Sequence, residues 1–156
     1  MFASAIASRA VDVASGEPGE PAWTDGRVVF VDAGLGRREQ VEAVVVQASL
    51  LAAGSLDTGV VRRLTRRPAV ARRYLAVEGH RALAAIEDLL PPSMRSLIDS
   101  DVAARADSPA ASLAAALSRE AIADPPDTFG TIRARHLLAS ISRANSVATS
   151  PPQLSP

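Results

Sequence analysis

Glu78 and Arg81 stand three positions apart in a helical stretch, and both fall on its apolar side. At about 100° per residue, Val70, Tyr74, Val77, Arg81 and Ala84 share one arc, with Glu78 and Ala85 at its edge. Charges directed towards a core must be paired or functional. On an exposed helix such a pair contributes only about 0.2–0.5 kcal/mol. Facing inward, each charge also needs partners from other elements. The expectation is a structural device in which Tyr74, Glu78 and Arg81 clamp this helix to a neighbour.

Other chemistry is hard to assemble from these residues. His80 and His136 are the only histidines, and no His-Glu-x-x-His spacing exists. His80 falls off the apolar stripe of its helix, so both histidines are expected at the surface. The absence of cysteine excludes disulfides and thiolate metal sites. No serine sits in a Gly-x-Ser-x-Gly elbow. The expectation is a protein with no catalytic, cofactor or metal residue, and not an enzyme.

Two further motifs have competing readings. Val28 to Gly36 (VVFVDAGLG) has the outline of a dinucleotide-binding turn, but Arg37-Arg38-Glu39 stands where a third glycine is needed, and no second βαβ unit follows. Asp32 ends an apolar strand in the manner of a magnesium-holding carboxylate, without a Gly-rich, Lys-containing loop to accompany it. The plain reading is a buried strand and a turn. Arg62, Arg63, Arg66, Arg67, Arg72 and Arg73 crowd one short segment. They form a solvated rim or a contact for an acidic protein; the alternative is a phosphate-binding patch. Interleaved aromatics and a recognisable reading helix are missing.

Composition frames these motifs. Hydrophobic residues make up 47% of 156 residues, enough for one core, but only 3% are aromatic, so Ala, Val and Leu must build it. Basic and acidic residues balance at 17 each, which removes any global pull towards nucleic acid or anionic membrane. No apolar run reaches the roughly 18 residues of a membrane span. The opening Met1 to Ile6 lacks the basic region of a signal peptide. A cytoplasmic protein is the expectation.

The elements that position the motifs follow from local patterns. Residues 1–23 read as a flexible N-terminal segment, with a frayed helix over 1–13 and a Gly/Pro/Glu loop from Ser15 to Pro21. Thr24-Asp25-Gly26 turns the chain into a β-branched strand, Arg27 to Val31. A strand cannot stand alone, and the segment around Ala10–Val13 or Pro21–Trp23, or an absent domain, could pair with it. Arg37 to Ala53 reads as a helix apolar all round, which belongs in the middle of a core. Gly54-Ser55 ends it, and a short helix follows from Val60 to Arg66. Pro68 opens the long helix, which is expected to run to Leu90 before Pro91-Pro92. Further helices are expected at 93–105, 109–123 and 128–143. The folded domain is 24–143, mainly α with one short β-strand or hairpin, and 144–156 is a disordered Ser/Pro/Thr-rich tail.

Tyr74-x-x-x-Glu78-x-x-Arg81, followed by Leu89-Leu90-Pro91, resembles a pattern in the helical region ahead of the von Willebrand A domain of NorD-type proteins, the nitric-oxide-reductase activation proteins. Asp25 to Val31 and the apolar helix up to Gly54-Ser55-Leu56-Asp57 are similar to the same region, particularly in actinobacterial members. The resemblance spans about residues 24–92. The Asp-x-Ser-x-Ser metal site of the von Willebrand A domain has no counterpart here, so the resemblance implies the N-terminal part alone. It also implies a degenerate zincin-like scaffold, in which Gln47-Ala48-Ser49-Leu50-Leu51 stands where related domains carry a metal motif. The implied function is a non-catalytic protein-interaction module, an adaptor for a MoxR-type AAA+ ATPase. The alternative is a small arginine-faced helical regulator that binds nucleic acid.

Overall fold

The structure, a computed structural model, describes residues 11–149 together with Ala7, the side chains of 147–149 excepted. The protein is mainly helical with one small sheet. Val28–Asp32 (β3) is the central strand, as its β-branched run requires. Asp12–Gly16 (β1) pairs with it in parallel, Asp12 opposite Val28 and Gly16 opposite Asp32. Trp23–Thr24 (β2) pairs on the other side, antiparallel, with Trp23 opposite Phe30. The turn between β2 and β3 is closed by side chains. The Asp25 carboxylate accepts from the amides of Arg27 and Val28, and Thr24 Oγ1 donates to the Val28 carbonyl.

The folded unit therefore starts ahead of position 24. Residues 12–16 are strand, so 12 and 13 pair with β3, as the segment around Ala10–Val13 was expected to, instead of ending a frayed helix, and the loop expected from Ser15 begins later; the remainder of the helix expected over 1–13 lies outside the described residues, Ala7 and Val11 excepted. At the other end, the last helix runs Ala134–Thr149 (α7), so 144–149 continues a helix instead of opening a tail. Residues 150–156 lie outside the described residues.

Val29 and Val31 turn one face of β3 inward, against Arg37–Ala52 (α1). From Val45 to Leu51 every residue of α1 is buried. Such a helix must be covered on all sides. The sheet, the long helix Pro68–Ala85 (α3) and a 3₁₀ turn, Asp127–Phe129, all pack against it. Its first turns lie outside this envelope, with Val41 42% exposed. Among the described residues, no helix is long and apolar enough to cross a membrane.

α1 ends in a Schellman arrangement. The Ser55 amide bonds the Leu50 carbonyl at 3.0 Å and the Gly54 amide bonds that of Leu51 at 3.4 Å. Gly54 has φ +71°, the left-handed conformation this cap needs. The turn folds Ser55 back beneath the helix, where it is fully buried. Thr58–Leu64 (α2) follows and packs against α7.

α3 is buried from Tyr74 to His80 without a break. It stops at Ala85, short of the expected Leu90. Bonds of i to i+3 type take over, giving a 3₁₀ turn at Glu87–Leu89, and Leu90 is extended with ψ 140°, as suits a residue before proline. The helix expected over 93–105 is two short pieces, Pro92–Arg95 (α4) and Ser100–Ala103 (α5). The break is Asp99, whose Oδ1 accepts from the amides of Asp101 and Val102 and so starts a new helix. Pro109–Leu117 (α6) begins at the Ser108 cap and ends earlier than expected. Residues 130–133 are not helical. The Thr131 amide bonds the Ala22 carbonyl there at 2.8 Å, tying this stretch to the segment before β2 and delaying the start of α7.

Candidate functional site

The inward arc of α3 meets two serines from other elements. Glu78 is 0% exposed and its carboxylate accepts four hydrogen bonds. Arg81 Nε donates to Oε1 and Arg81 Nη2 to Oε2, both at 2.6 Å, a bidentate fork. Ser112 Oγ on α6 donates to Oε1 at 2.8 Å, and Ser55 Oγ to Oε2 at 2.5 Å. Arg81 Nη2 reaches on to the Ala53 carbonyl at 3.3 Å. Tyr74 donates its hydroxyl to the Ser55 carbonyl at 2.6 Å. One carboxylate thus ties the end of α1, the middle of α3 and the start of α6 together.

Electrostatics keeps the two donors of α3, Tyr74 and Arg81, protonated. Burial, reinforced by the neighbouring Glu78 carboxylate, pushes the Tyr74 phenol well above its ordinary value, so it stays a donor. The hydrogen bond to Glu78 raises Arg81, against the opposing effect of burial. The carboxylate has its oxygens occupied on both sides, and neither Glu78 nor Arg81 lines any of the three clefts described for this protein. The arrangement is a clamp, with Glu78 fully buried and the Arg81 side chain 15% exposed.

The six arginines between Arg62 and Arg73 do not form one patch. Arg73 donates to the carbonyls of Ala116, Ser118 and Glu120 at 2.8–3.0 Å, satisfying the C-terminal end of α6. Arg72 pairs with Asp124 at 3.2 Å. Arg62, Arg63, Arg66 and Arg67 are exposed, and among the described residues no carboxylate lies within ion-pair distance of them. Asp32 is used locally: it accepts from the Gly34 amide at 2.8 Å and the Gly19 amide at 2.9 Å, lashing the loop before β2 to the end of β3. Among the described residues no group of three or more His, Asp or Glu side chains is placed to hold a metal ion.

No protein-family model, no curated protein and no solved structure matches this chain.

His80 is a correction to the sequence reading. It is 7% exposed, stacked edge-on against Phe129 at 4.8 Å between ring centroids. A helical wheel showed one apolar face of α3, but a second face, including Ala76, Gly79 and Leu83, is covered as well. Gly79 was the available signal. A Cβ there would stand 2.5 Å from the Phe129 ring, so the glycine admits the ring against the helix. Gln47 holds the same turn from α1, donating to the Phe129 carbonyl at 2.8 Å. His136 is exposed, as expected, beside Trp23 at 4.9 Å. Trp23 also stacks on Phe30 at 4.3 Å and lies under the Arg133 guanidinium at 4.4 Å.

Burial lowers the His80 pKa below its ordinary value; the Asp99 carboxylate opposes this with a smaller effect. Arg105 and Asp124 are the other charged groups around the cleft that His80 and Asp99 line. The unfolded chain therefore binds a proton at a higher pH than the folded one. Stability contributed by neutral His80 is complete above the unfolded value, about 6.5, and is lost as pH falls below it towards the folded value. Denaturant melts between about pH 7.5 and 5.5 are expected to show stability falling with pH, with a slope of at most about 1.4 kcal/mol per unit for one proton. His80→Asn, which keeps an acceptor near Nδ1 and cannot titrate, is expected to flatten that slope. An unchanged slope in the variant would assign the pH dependence elsewhere.

Proposed function

We propose that the protein is a non-catalytic interaction module of NorD-like character, acting in the cytoplasm as an adaptor for a MoxR-type AAA+ ATPase. The observation that carries this reading is the way charge is divided. The most elaborate polar group, the clamp, turns inward on a fully buried Glu78, whereas Arg62, Arg63, Arg66 and Arg67 stand exposed on α2 and the turn after it. Like charges crowded in one turn repel one another, and an acidic partner surface relieves that repulsion. The same four arginines support the alternative, a nucleic-acid contact. Titration of the protein against a purified MoxR-type ATPase, and separately against duplex DNA, at two salt concentrations decides between them. The adaptor reading expects ATPase binding that is lost in an Arg62→Glu, Arg66→Glu double variant. Binding to DNA alone, with log K falling by about 0.9 per phosphate contact for each decade of salt, would replace it with the nucleic-acid reading.

A further inference from the structure

The turn after α2 places an arginine where its backbone geometry suits a glycine. Thr65 has φ −59° and ψ 130°, Arg66 has φ +62°, and the Arg67 amide bonds the Leu64 carbonyl at 3.1 Å. This is a type II turn, whose third residue takes the left-handed conformation and is normally glycine or asparagine. Among the described residues Arg66 is the only non-glycine with positive φ. A residue with a Cβ is strained there. No contact of the side chain offsets the strain. Arg66 is exposed, and among the described residues its guanidinium has no hydrogen bond, ion pair or ring contact.

The surroundings carry one sign of charge. From Thr58 to Val77 the sequence has no Asp or Glu. α2 packs against α7, and less extensively against α3 and α6. Neither α6 nor α7 contains an acidic residue, and the one acid of α3 is Glu78, fully buried and held by Arg81. Asp57 stands at the opposite end of α2, beside Gly54. Arg62, Arg63 and Arg67 flank Arg66 in the chain, exposed and likewise unpaired among the described residues.

We propose that Arg66 is the anchor of a docking site for an acidic peptide segment of a partner protein. Its guanidinium takes one carboxylate as a bidentate pair, and Arg62, Arg63 and Arg67 meet further carboxylates around it. A tight turn fixes the direction in which the side chain leaves the backbone, so less freedom is lost when the pair forms. Strain held at a site that serves no internal contact is accounted for by a contact made outside. A short acidic segment fits this patch better than a nucleic acid does. The patch is confined to Arg62 to Arg67, and no aromatic side chain stands in it for a base to stack on. The proposal rests on the adaptor reading for an acidic protein partner, and names the residue that decides its binding.

The test uses the full chain and a fluorescein-labelled hexaglutamate peptide at low ionic strength, with hexalysine as the control. The wild type is expected to bind hexaglutamate saturably and hexalysine not at all. Arg66→Gly and Arg66→Gln both remove the guanidinium, and each is expected to weaken hexaglutamate binding by about tenfold or more, the scale of a hydrogen bond to a charged group. Arg63→Gln removes the same charge from α2 and is expected to weaken binding by less than about fivefold, the scale of an exposed ion pair. The two Arg66 variants also separate backbone from charge. Glycine relieves the left-handed strain and glutamine keeps it. Arg66→Gly is therefore expected to melt about 2 °C above Arg66→Gln, part of the gain being lost to the freedom of glycine in the unfolded chain. No hexaglutamate binding by the wild type, or equal weakening by the Arg63 and Arg66 variants, overturns the anchor. Equal melting temperatures of the two Arg66 variants remove the strain on which it stands. Saturable binding of duplex DNA in place of hexaglutamate replaces the proposal with a nucleic-acid contact. The adaptor reading fails separately. A MoxR-type ATPase that does not bind, with Arg66-dependent hexaglutamate binding intact, removes the named partner and leaves the anchor. ATPase binding that is indifferent to Arg66→Gln removes the anchor and leaves the adaptor.

Discussion

Val45→Asp is expected to unfold the protein, while Val41→Asp on the same helix leaves it folded. Val45 is 0% exposed and Val41 is 42% exposed. The two differ by a little over one turn of α1, at the point where the helix passes from solvent into the space between sheet, α3 and the 3₁₀ turn at 127–129. A carboxylate forced into the buried half has no cation to meet it. Desolvating it costs several kcal/mol, against a total stability of about 5–15 kcal/mol. At Val41 the side chain faces water, and the change is expected to stay within about 0.5 kcal/mol. Circular dichroism melts of the two variants check this. A Val45→Asp protein that melts like the wild type would place α1 at the edge of the fold.

What could be read in advance tracks how local its cause is. β3 and α1 are runs of apolar residues whose burial is dictated by their own composition, and both appear within a residue or two of expectation. The Glu78–Arg81 pair was legible because its helix carried Tyr74 and Val77 on the same arc. A partner strand around Ala10–Val13 was legible only from the need of β3 for a neighbour; its extent to Gly16 was not, because Asp-Val-Ala-Ser-Gly has no alternation to detect. The five residues of β1 are mostly exposed, and backbone bonds to β3 alone make it a strand. Ser55 and Ser112 could not be assigned to Glu78, since polar partners recruited from other elements leave no periodic trace. The burial of His80 depends on Phe129, far along the chain, and on Asp99, whose cap also splits the helix expected over 93–105. Asp99-Ser100-Asp101 is a capping pattern, and read as one it would have placed that break.

The second large effect is expected at the clamp itself, and its asymmetry is informative. Arg81→Met leaves a carboxylate that is 0% exposed with only the hydroxyls of Ser55 and Ser112 to hold it. Glu78→Gln leaves a guanidinium whose side chain is 15% exposed and still reaches the Ala53 carbonyl. Breaking a buried pair by removing one partner typically costs about 3–5 kcal/mol. Arg81→Met is expected at the upper end of that range and Glu78→Gln nearer the lower, because the guanidinium retains access to water. The double variant is expected to cost clearly less than the sum. Once both charges are gone no buried charge remains unpaired, and a neutral pair in the same space can approach neutrality. Denaturant melts of the wild type, both single variants and the double variant close the cycle. Additive changes, each within about 0.5 kcal/mol of wild type, would mean that water reaches Glu78. The tie between α1, α3 and α6 would then have to come from apolar packing alone, with Tyr74 and the Schellman turn at Gly54 positioning Ser55 for no electrostatic purpose.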